Sequence, residues 1–310
     1  MSGINEGRVV IVTGAGAGIG RAHALAFASE GAKVVVNDLG SARDGTGGSA
    51  GAAQQVADEI VAAGHEAVAN TDDVSDWSGA KRLVEQALDS FGRLDVLVNT
   101  AGILRDKMLV NMAEAEWDAV IKVHLRGTFA PLRHAAEHWR ELSKQGKEVD
   151  ARVINTTSPS GLFGNVGQTN YGAAKGGIAS FTIIAAQELS RYGVTVNAIA
   201  PTALTRMTED LQAMQQLAKE GAAGGFNALA PENISPLVVW LGSPGSRQVT
   251  GRVFSVWGGR ITVNEGWVGG PFVHRDGPWL PGELGEVIPD LVAGAAGNAD
   301  MMGQRSATSE

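Results

Sequence analysis

The chain has 310 residues, of which 44% are hydrophobic and 19% are charged, and its formal net charge at pH 7 is -8. This length can bury a large core, and the acidic balance argues against nucleic-acid or anionic membrane surfaces, which both attract basic proteins. There is no cysteine, which excludes disulfides, thiolate nucleophiles and cysteine-based metal sites. We expect a cytoplasmic protein, because no leader sequence and no apolar run of membrane-spanning length is visible.

Predicted strands and helices alternate along the chain. The apolar runs expected to form strands are residues 8–13, 33–37, 66–70, 94–98, 153–157, 194–199 and 252–257. The stretches expected to form helices are residues 21–30, 52–63, 77–91, 114–144, 171–191 and 231–241. This alternation predicts an α/β fold, a doubly wound parallel sheet of the Rossmann type, with ligands at the carboxyl ends of the strands.

A glycine-rich turn joins the first predicted strand to the first predicted helix. Its sequence is Gly14-Ala-Gly-Ala-Gly-Ile-Gly20. A lone glycine run is weak evidence, but this one follows a strand, opens a helix and precedes a second strand that ends in an acid. Backbone N–H groups at such a helix N-terminus can bind a pyrophosphate. The residues assigned to a dinucleotide here are Gly14, Gly16, Gly18, Ile19 and Gly20.

Asp38 stands at the end of the second predicted strand. A carboxylate at this position can accept hydrogen bonds from the adenosine ribose, and it repels the 2′-phosphate of NADP. We therefore predict NAD as the cofactor. Arg43 lies in the glycine- and serine-rich surface loop that follows, at residues 40–51, and could neutralise such a phosphate.

Further polar turns follow the next strands and fall on the same edge of the predicted sheet. Asp73 could accept a hydrogen bond from the adenine amine while Val74 offers its backbone N–H, although helix capping by this Asp/Ser cluster explains the pattern equally well. The turn Asn99-Thr-Ala-Gly102 follows the fourth predicted strand, and Pro201 follows the sixth. We expect all of them near the cofactor.

Three reactive side chains are predicted to meet at this edge. Ser158 ends the fifth predicted strand, while Tyr171 and Lys175 lie four residues apart on one face of the next helix. Lowering the phenol pKa from ~10 by about three units requires about 4 kcal/mol. One ammonium about 4 Å away supplies roughly that at an effective dielectric near 20, and an oxidised nicotinamide ring adds a second positive charge. Tyr171 is thus a candidate general acid/base, and Ser158 a hydrogen-bond donor to the substrate oxygen.

The remaining C-terminal part of the chain carries weaker signals. Residues 202–225 have no strong strand pattern and are predicted to be a mobile substrate lid. We take residues 252–257 as the last strand, so the catalytic domain is residues 1–260. Residues 261–310 form an extension with a short apolar piece at 287–292, and its end, residues 294–310, is predicted to be disordered.

Together these segments resemble the short-chain dehydrogenase/reductase family. The resemblance rests on the glycine run, the turn at residues 99–102, Ser158, and Tyr171 with Lys175, and it covers about residues 8 to 260. Residues 36–40, 101–106, 124–127 and 164–171 are similar to the members that oxidise (3R)-3-hydroxyacyl-CoA and are also described as 17β-hydroxysteroid dehydrogenases. The resemblance implies NAD, a lipid-like secondary alcohol as substrate, and a homodimer or homotetramer.

The resemblance also implies roles for single residues. Ser158 orients the substrate, Tyr171 transfers the proton, and Lys175 lowers the phenol pKa and binds the nicotinamide ribose. His124 stands where the wider family has an asparagine that supports a proton-relaying water, so it is either part of a relay or a packed core histidine. The remaining cofactor contacts are Asp38, Asp73, Val74, Asn99, Ala101, Gly102, Pro201 and Thr205.

Three rival interpretations are weaker. His134 and His138 are four residues apart on a predicted helix, but no third ligand has suitable spacing, so we expect no metal and a face that meets solvent or a subunit. The segment around Ser158 lacks the glycine that precedes the nucleophile of a serine hydrolase. A non-enzymatic, cofactor-sensing regulator is compatible with the fold, but the presence of Ser158, Tyr171 and Lys175 favours an enzyme.

Overall fold

The computed structural model describes residues 3–48, 51–204 and 226–305, and within them an eight-stranded sheet forms the centre of the molecule. The strand order is β3-β2-β1-β4-β5-β6-β7-β8. The strands are β1 Val9–Thr13, β2 Lys33–Asn37, β3 Ala67–Asn70, β4 Val96–Asn99, β5 Ala151–Thr156, β6 Val194–Pro201, β7 Val253–Trp257 and β8 Arg260–Asn264. All neighbouring pairs are parallel except β7 with β8.

Helices cover both faces of the sheet. The α-helices of the described residues are α1 Gly18–Ser29, α2 Gly51–Ala62, α3 Trp77–Phe91, α4 Glu114–Ile121, α5 Gly127–Lys144, α6 Pro159–Phe163, α7 Thr169–Leu189, α8 Ser235–Gly242 and α9 Leu284–Gly294. Alternate residues of β1 point to opposite sides, so Val10 packs with α1, α2 and α8 while Ile11 packs with α3, α5 and α7. This two-faced burial makes the central strands continuous apolar runs and confirms the doubly wound fold.

The strand order reverses its direction between β1 and β4. From β1 the chain builds outward through β2 and β3 on one side, and from β4 through β5, β6 and β7 on the other. In a doubly wound sheet this reversal opens a crevice at the carboxyl ends of the strands. The fold therefore places the ends of β1, β2, β4 and β5 around one potential binding site.

The structure differs from the predicted elements at three places. The single helix predicted at residues 114–144 is interrupted by a π-helical turn at Lys122–Arg126. The sequence predicted no element at the position of the short helix α6. The prediction that residues 252–257 form the last strand is wrong, because β8 pairs with β7 through a two-residue turn at Gly258 and Gly259. Gly258 has φ +52°, the left-handed conformation that such tight hairpins favour.

The predicted extension contains both regular structure and turns. The sheet continues to Asn264, and the apolar piece predicted at residues 287–292 lies within α9. Residues 300–304, within the stretch predicted to be disordered, form a hydrogen-bonded turn. Most of the predicted lid, at residues 205–225, and the last five residues lie outside the described part of the chain. Among the described helices, none is long and apolar enough to cross a membrane.

Candidate active site

A cavity of about 520 Å³ opens at the carboxyl edge of the sheet. Its walls come mainly from the carboxyl ends of six strands, β1 to β6, and from the helices and loops that follow them. The predicted site residues that line it are Gly14, Gly18, Ile19, Gly20, Asp38, Asp73, Val74, Ala101, Gly102, His124, Ser158, Tyr171, Lys175 and Pro201. One cavity thus brings most of the predicted cofactor contacts together with the three reactive side chains.

Two glycines of the turn leave no room for a Cβ atom. Gly14 has φ +65°, and a Cβ on it would lie 2.7 Å from Ala101 Cα. A Cβ on Gly20 would lie 2.2 Å from the carbonyl oxygen of Gly14. Helix α1 starts at Gly18 without a side-chain cap, so its first backbone N–H groups need other acceptors. These N–H groups at the start of α1 suit a diphosphate as their acceptor.

Asp38 is held in place by the backbone on both sides. Its Oδ2 accepts a hydrogen bond from Gly16 N at 2.7 Å, and its Oδ1 accepts one from Gly40 N at 2.6 Å. A Cβ on Gly16 would lie 2.8 Å from the Asp38 carboxyl carbon, so Gly16 supports this carboxylate and does not itself line the cavity. Asp38 therefore presents a fixed negative charge to the cavity.

The loop after Asp38, whose role the sequence left open, lies over the mouth of the cavity. Arg43 accepts a backbone hydrogen bond from Leu104 N at 3.0 Å, and Asp44 O accepts one from Arg105 Nε at 2.8 Å. Ser41, Ala42, Arg43 and Gly45 all line the cavity. The loop thereby connects the ends of β2 and β4 across the site.

Asp73 and Asn99 illustrate two outcomes for predicted contacts. Asp73 lines the cavity, and its Oδ1 accepts hydrogen bonds from Ser75 N at 2.8 Å and Ser75 Oγ at 2.6 Å. The cap of α3 is a different residue, Asp76. Asn99 lies beneath the cavity and does not line it. Its side-chain amide donates to Asn155 Oδ1 at 2.9 Å, which places it in a buried polar network between β4 and β5.

Ser158, Tyr171 and Lys175 meet where β5 ends and α7 begins. Ser158 is 8% exposed, caps α6 by accepting from Ser160 N at 3.2 Å, and lies near enough to the Tyr171 phenol to lower its pKa. Lys175 is 3% exposed and donates from Nζ to Thr156 O at 2.6 Å. Its Nζ lies 5.6 Å from the centroid of the Tyr171 ring. The strand end and the first turns of the helix fix all three.

The electrostatics of this pair differ from the prediction. Burial raises the pKa of Tyr171 to about 12, a hydrogen bond from Ser158 opposes that rise, and the charge of Asp106 adds to it. Burial also lowers the pKa of Lys175 to about 7. The prediction that one ammonium lowers the phenol pKa is wrong for the chain alone, because it counted the attraction and left out the cost of desolvating both charged forms.

His124 lies in the π-helical turn and is buried beside Tyr171. The two rings meet edge-on with their centroids 5.1 Å apart. His124 Nε2 lies 2.7 Å from Ile103 O and 3.1 Å from Ile103 N, while Nδ1 is buried without a partner among the described residues. Burial lowers the pKa of His124 to about 3, with the nearby Lys175 charge contributing. It is a packed, neutral histidine that also lines the cavity, so both interpretations of this residue remain open.

Two comparisons with known proteins decide the family. The family model described as short chain dehydrogenase matches residues 8–216. The chain belongs to the short-chain dehydrogenase family. A crystal structure of a short chain dehydrogenase from Mycobacterium avium superposes with a TM-score of 0.86 at 59% identity, covering 96% of this chain and 98% of that one.

Curated relatives of this short-chain dehydrogenase carry more specific names. The hydroxyacyl-CoA dehydrogenase ChsB1 of Mycobacterium tuberculosis is 46% identical over 300 residues, which cover 93% of this chain and 90% of the relative. The peroxisomal multifunctional enzyme type 2 of Mus musculus is 42% identical over 264 residues, covering 85% of this chain and 32% of that enzyme. This chain therefore matches about a third of the multifunctional relative.

The structure of this short-chain dehydrogenase adds a polar network that sequence reasoning missed. Ser160 Oγ donates to Gln168 Oε1 at 2.7 Å, and Gln168 Nε2 donates to Asp106 Oδ2 at 2.7 Å. All three residues line the cavity beside Ser158 and Tyr171. The polar run at residues 165–170 was the available signal, but only the fold shows that it faces Asp106.

Two predictions away from the catalytic residues concern the histidine pair on α5 and the phosphate contact of Thr205 in this short-chain dehydrogenase. The ring of His134 lies 4.4 Å from that of Trp77, and its Nε2 lies 3.1 Å from Trp77 O, so this histidine packs inside the protein and does not face solvent. The described residues contain no group of three or more His, Asp or Glu side chains that could hold a metal ion. Thr205, predicted to contact a phosphate, lies outside the described residues.

Proposed function

We propose that this chain is an NAD-dependent dehydrogenase that oxidises a (3R)-3-hydroxyacyl-CoA to the 3-oxoacyl-CoA. The observation that carries the proposal is the meeting of Ser158, Tyr171 and Lys175 in one cavity with the glycine turn. The relative from Mycobacterium tuberculosis that is named a hydroxyacyl-CoA dehydrogenase supports the substrate class, because the similarity covers almost all of both chains.

The described residues fit a dinucleotide. Close packing of Gly14 against Ala101 and of Gly20 against Gly14 fixes the turn, and the first N–H groups of α1, which no side chain caps, would bind the diphosphate. Asp38 would accept the ribose hydroxyls, and its charge favours NAD over NADP. Lys175 would hold the nicotinamide ribose. When bound, the oxidised nicotinamide supplies the hydride acceptor and a positive charge near the phenol.

Ser158, Tyr171 and His124 have different roles in the oxidation of the alcohol. Ser158 Oγ donates a hydrogen bond to the substrate oxygen and holds it near Tyr171. The Tyr171 phenolate takes the hydroxyl proton as the carbinol C–H leaves as hydride, so a ketone forms. A positive charge in the cavity offsets the burial that raises the pKa of Tyr171 in the chain alone. His124 remains neutral because burial lowers its pKa to about 3.

Cationic residues near the mouth are candidates for the CoA phosphates. Arg105 lines the cavity, whereas Lys107 forms an ion pair with Glu116 at 3.0 Å. Of the two other candidates, Arg126 does not line the cavity and Arg206 lies outside the described residues. Arg105 is therefore the cation that we assign to this role.

The test is nicotinamide absorbance with NAD and three separate substrates. These are a (3R)-3-hydroxyacyl-CoA, its (3S) epimer and a 17β-hydroxysteroid. Preference for the (3R) thioester supports the proposal. Turnover of the steroid alone would replace it with a hydroxysteroid dehydrogenase, and absence of turnover on all three, with intact NAD binding, would favour a cofactor-sensing regulator.

A further inference from the structure

A hydrogen-bonded turn near the end of the described extension has a defined shape. Asp300 N donates to Gln304 O at 2.8 Å, and Gly303 N donates to Asp300 O at 2.8 Å. The Asp300 carboxylate also accepts from Met302 N at 2.8 Å and from Gln304 N at 2.9 Å. We call residues 300–304 the terminal turn. Four hydrogen bonds through one aspartate fix how it presents its side chains.

The terminal turn packs on the helix that follows Ser158. Gly303 has φ +74°, and a Cβ on it would lie 3.0 Å from Phe163 Cζ. Phe163 ends α6, whose first residue comes directly after Ser158. The contact therefore lies near Ser158, at the end of the cavity where the alcohol would react. This end is far along the sheet edge from Asp38, because β4 and β1 lie between β5 and β2.

The same turn contributes one side chain to the cavity. Met301 lines it, whereas the adjacent Met302 does not. Met301 is 36% exposed and Met302 is 51% exposed. Met301 is also the one described residue after Ala203 that lines the cavity, so the extension enters the site through this side chain.

We propose that Met301 is a specificity-determining residue that contacts the apolar acyl part of the substrate beyond the reacting alcohol. The inference rests on the proposed function for its substrate class. The unbranched thioether side chain of methionine adapts to apolar chains of different shape. It carries no charge and no strong hydrogen-bonding group, so contact with a hydrocarbon leaves no polar group without a partner. The polar groups that fix the alcohol, Ser158 and Tyr171, come from other elements of the fold.

The first experiment compares kcat/KM for a four-carbon and a long-chain (3R)-3-hydroxyacyl-CoA. Met301→Ala should lower kcat/KM for the long chain by about fivefold, mainly through KM, since it removes part of an apolar contact that forms in the ground state as well. The four-carbon substrate should change less than twofold, because it ends before the contact. Met302→Ala is the matched control and should keep the wild-type ratio.

A second variant tests whether the terminal turn positions Met301. Asp300→Ala removes the carboxylate that holds the turn and leaves the methionine in place, so it should shift the chain-length ratio in the same direction as Met301→Ala. An unchanged ratio in both variants, with wild-type activity on the long chain, would overturn the proposal. Inactivity of the wild type on every hydroxyacyl thioester would instead contradict the proposed function.

The placement of the turn can be checked without any substrate, because the chain has no cysteine of its own. The double variant Phe163→Cys with Gly303→Cys should be linked within one chain by the shortest bifunctional maleimide. Phe163→Cys with Gly282→Cys is the control pair, since a Cβ on Gly282 would meet nothing within 4 Å. Linkage in the control pair only, or in neither pair, would contradict the placement. Linkage between two chains would assign Met301 to the neighbouring subunit's cavity and overturn the proposal as stated.

Discussion

Tyr171 is partly buried and its neighbour Lys175 is buried, and burial opposes the charged form of each. It raises the pKa of Tyr171 to about 12 and lowers that of Lys175 to about 7. The four-residue spacing was enough to predict the pair, because a helix places such residues on one face. The sign of the shifts was not predictable from spacing, because desolvation depends on everything that surrounds the pair in the fold.

Replacing Tyr171 by phenylalanine should abolish proton transfer and little else. We expect Tyr171→Phe to lower kcat by about 10²–10⁴-fold, the usual contribution of a positioned general acid/base, with NAD affinity nearly unchanged. Steady-state kinetics and a cofactor titration measure the two quantities. The chain offers a matched control, because its second tyrosine, Tyr192, does not line the cavity. Tyr192→Phe should keep wild-type kcat, and a Tyr171→Phe variant with most of its activity would refute the catalytic role.

Removing the Asp38 carboxylate should weaken the discrimination against NADP. Its charge faces the cavity while two backbone N–H groups hold it. Asp38→Ala should therefore raise KM for NAD, which loses hydrogen bonds, and should not raise KM for NADP, which loses a repulsion. The ratio of kcat/KM for NAD to that for NADP should fall by about tenfold, or about 1.4 kcal/mol. Asp38→Asn is the control for shape, and it should lower the ratio as well because it also lacks the charge. An unchanged ratio in both variants would exclude Asp38 as the selecting residue.

At the scale of elements, the buried strands were the most predictable part of the chain. Strand β2 lies at the predicted residues, and the other six predicted strands are within two residues of the structure at each end. Strand β8 was missed because its exposed edge residues do not form an apolar run, although the Gly258-Gly259 pair signals a hairpin. The break at Lys122–Arg126 has no glycine or proline inside it, so the helical pattern alone gave no sign of a π turn.

The contact between α1 and α8 should make the protein sensitive to acid. His23 of α1 is fully buried, its Nδ1 lies 2.9 Å from Ser235 Oγ, and burial lowers its pKa to about 3. A histidine with a lowered folded-state pKa stabilises the fold above its unfolded pKa of ~6.5, and this contribution is lost as the pH falls from ~6.5 toward about 3. At pH 5 the loss from His23 alone is about 2 kcal/mol.

Urea denaturation at pH 7.5 and pH 5 measures this effect. The wild type should lose more stability between the two pH values than His23→Asn, although the variant is less stable at pH 7.5. His65→Asn is the control, because His65 is not among the buried residues and its replacement should leave the pH dependence as it is in the wild type. Equal losses in the wild type and in His23→Asn would show that this histidine does not couple folding to pH.

At the scale of the whole molecule, the described residues of α3, α5 and α7 form an exposed apolar surface. The ring centroids of Trp77 and Phe129 are 5.9 Å apart, and those of Phe129 and Phe181 are 6.3 Å apart. Ile184 lies one turn beyond Phe181 on α7 and is 51% exposed. Helix α7 is rich in small and apolar residues, but which of its sides packs on the sheet and which stays exposed depends on the position of α5. This surface, formed by α3, α5 and α7, supports the proposal of a homodimer or homotetramer.

A charge on this surface should separate the subunits. In a two-fold assembly each substitution occurs twice, so Ile184→Glu would bury two like charges and remove apolar area at the contact. We expect multi-angle light scattering to give the mass of a dimer or tetramer for the wild type, and the mass of the 32.1 kDa monomer for Ile184→Glu at the same concentration. Val61→Glu is the matched control, since Val61 is 54% exposed on α2, away from this surface, and should keep the wild-type mass. A monomeric wild type would contradict the assembly itself, whereas an oligomer that tolerates Ile184→Glu would place the contact on another surface.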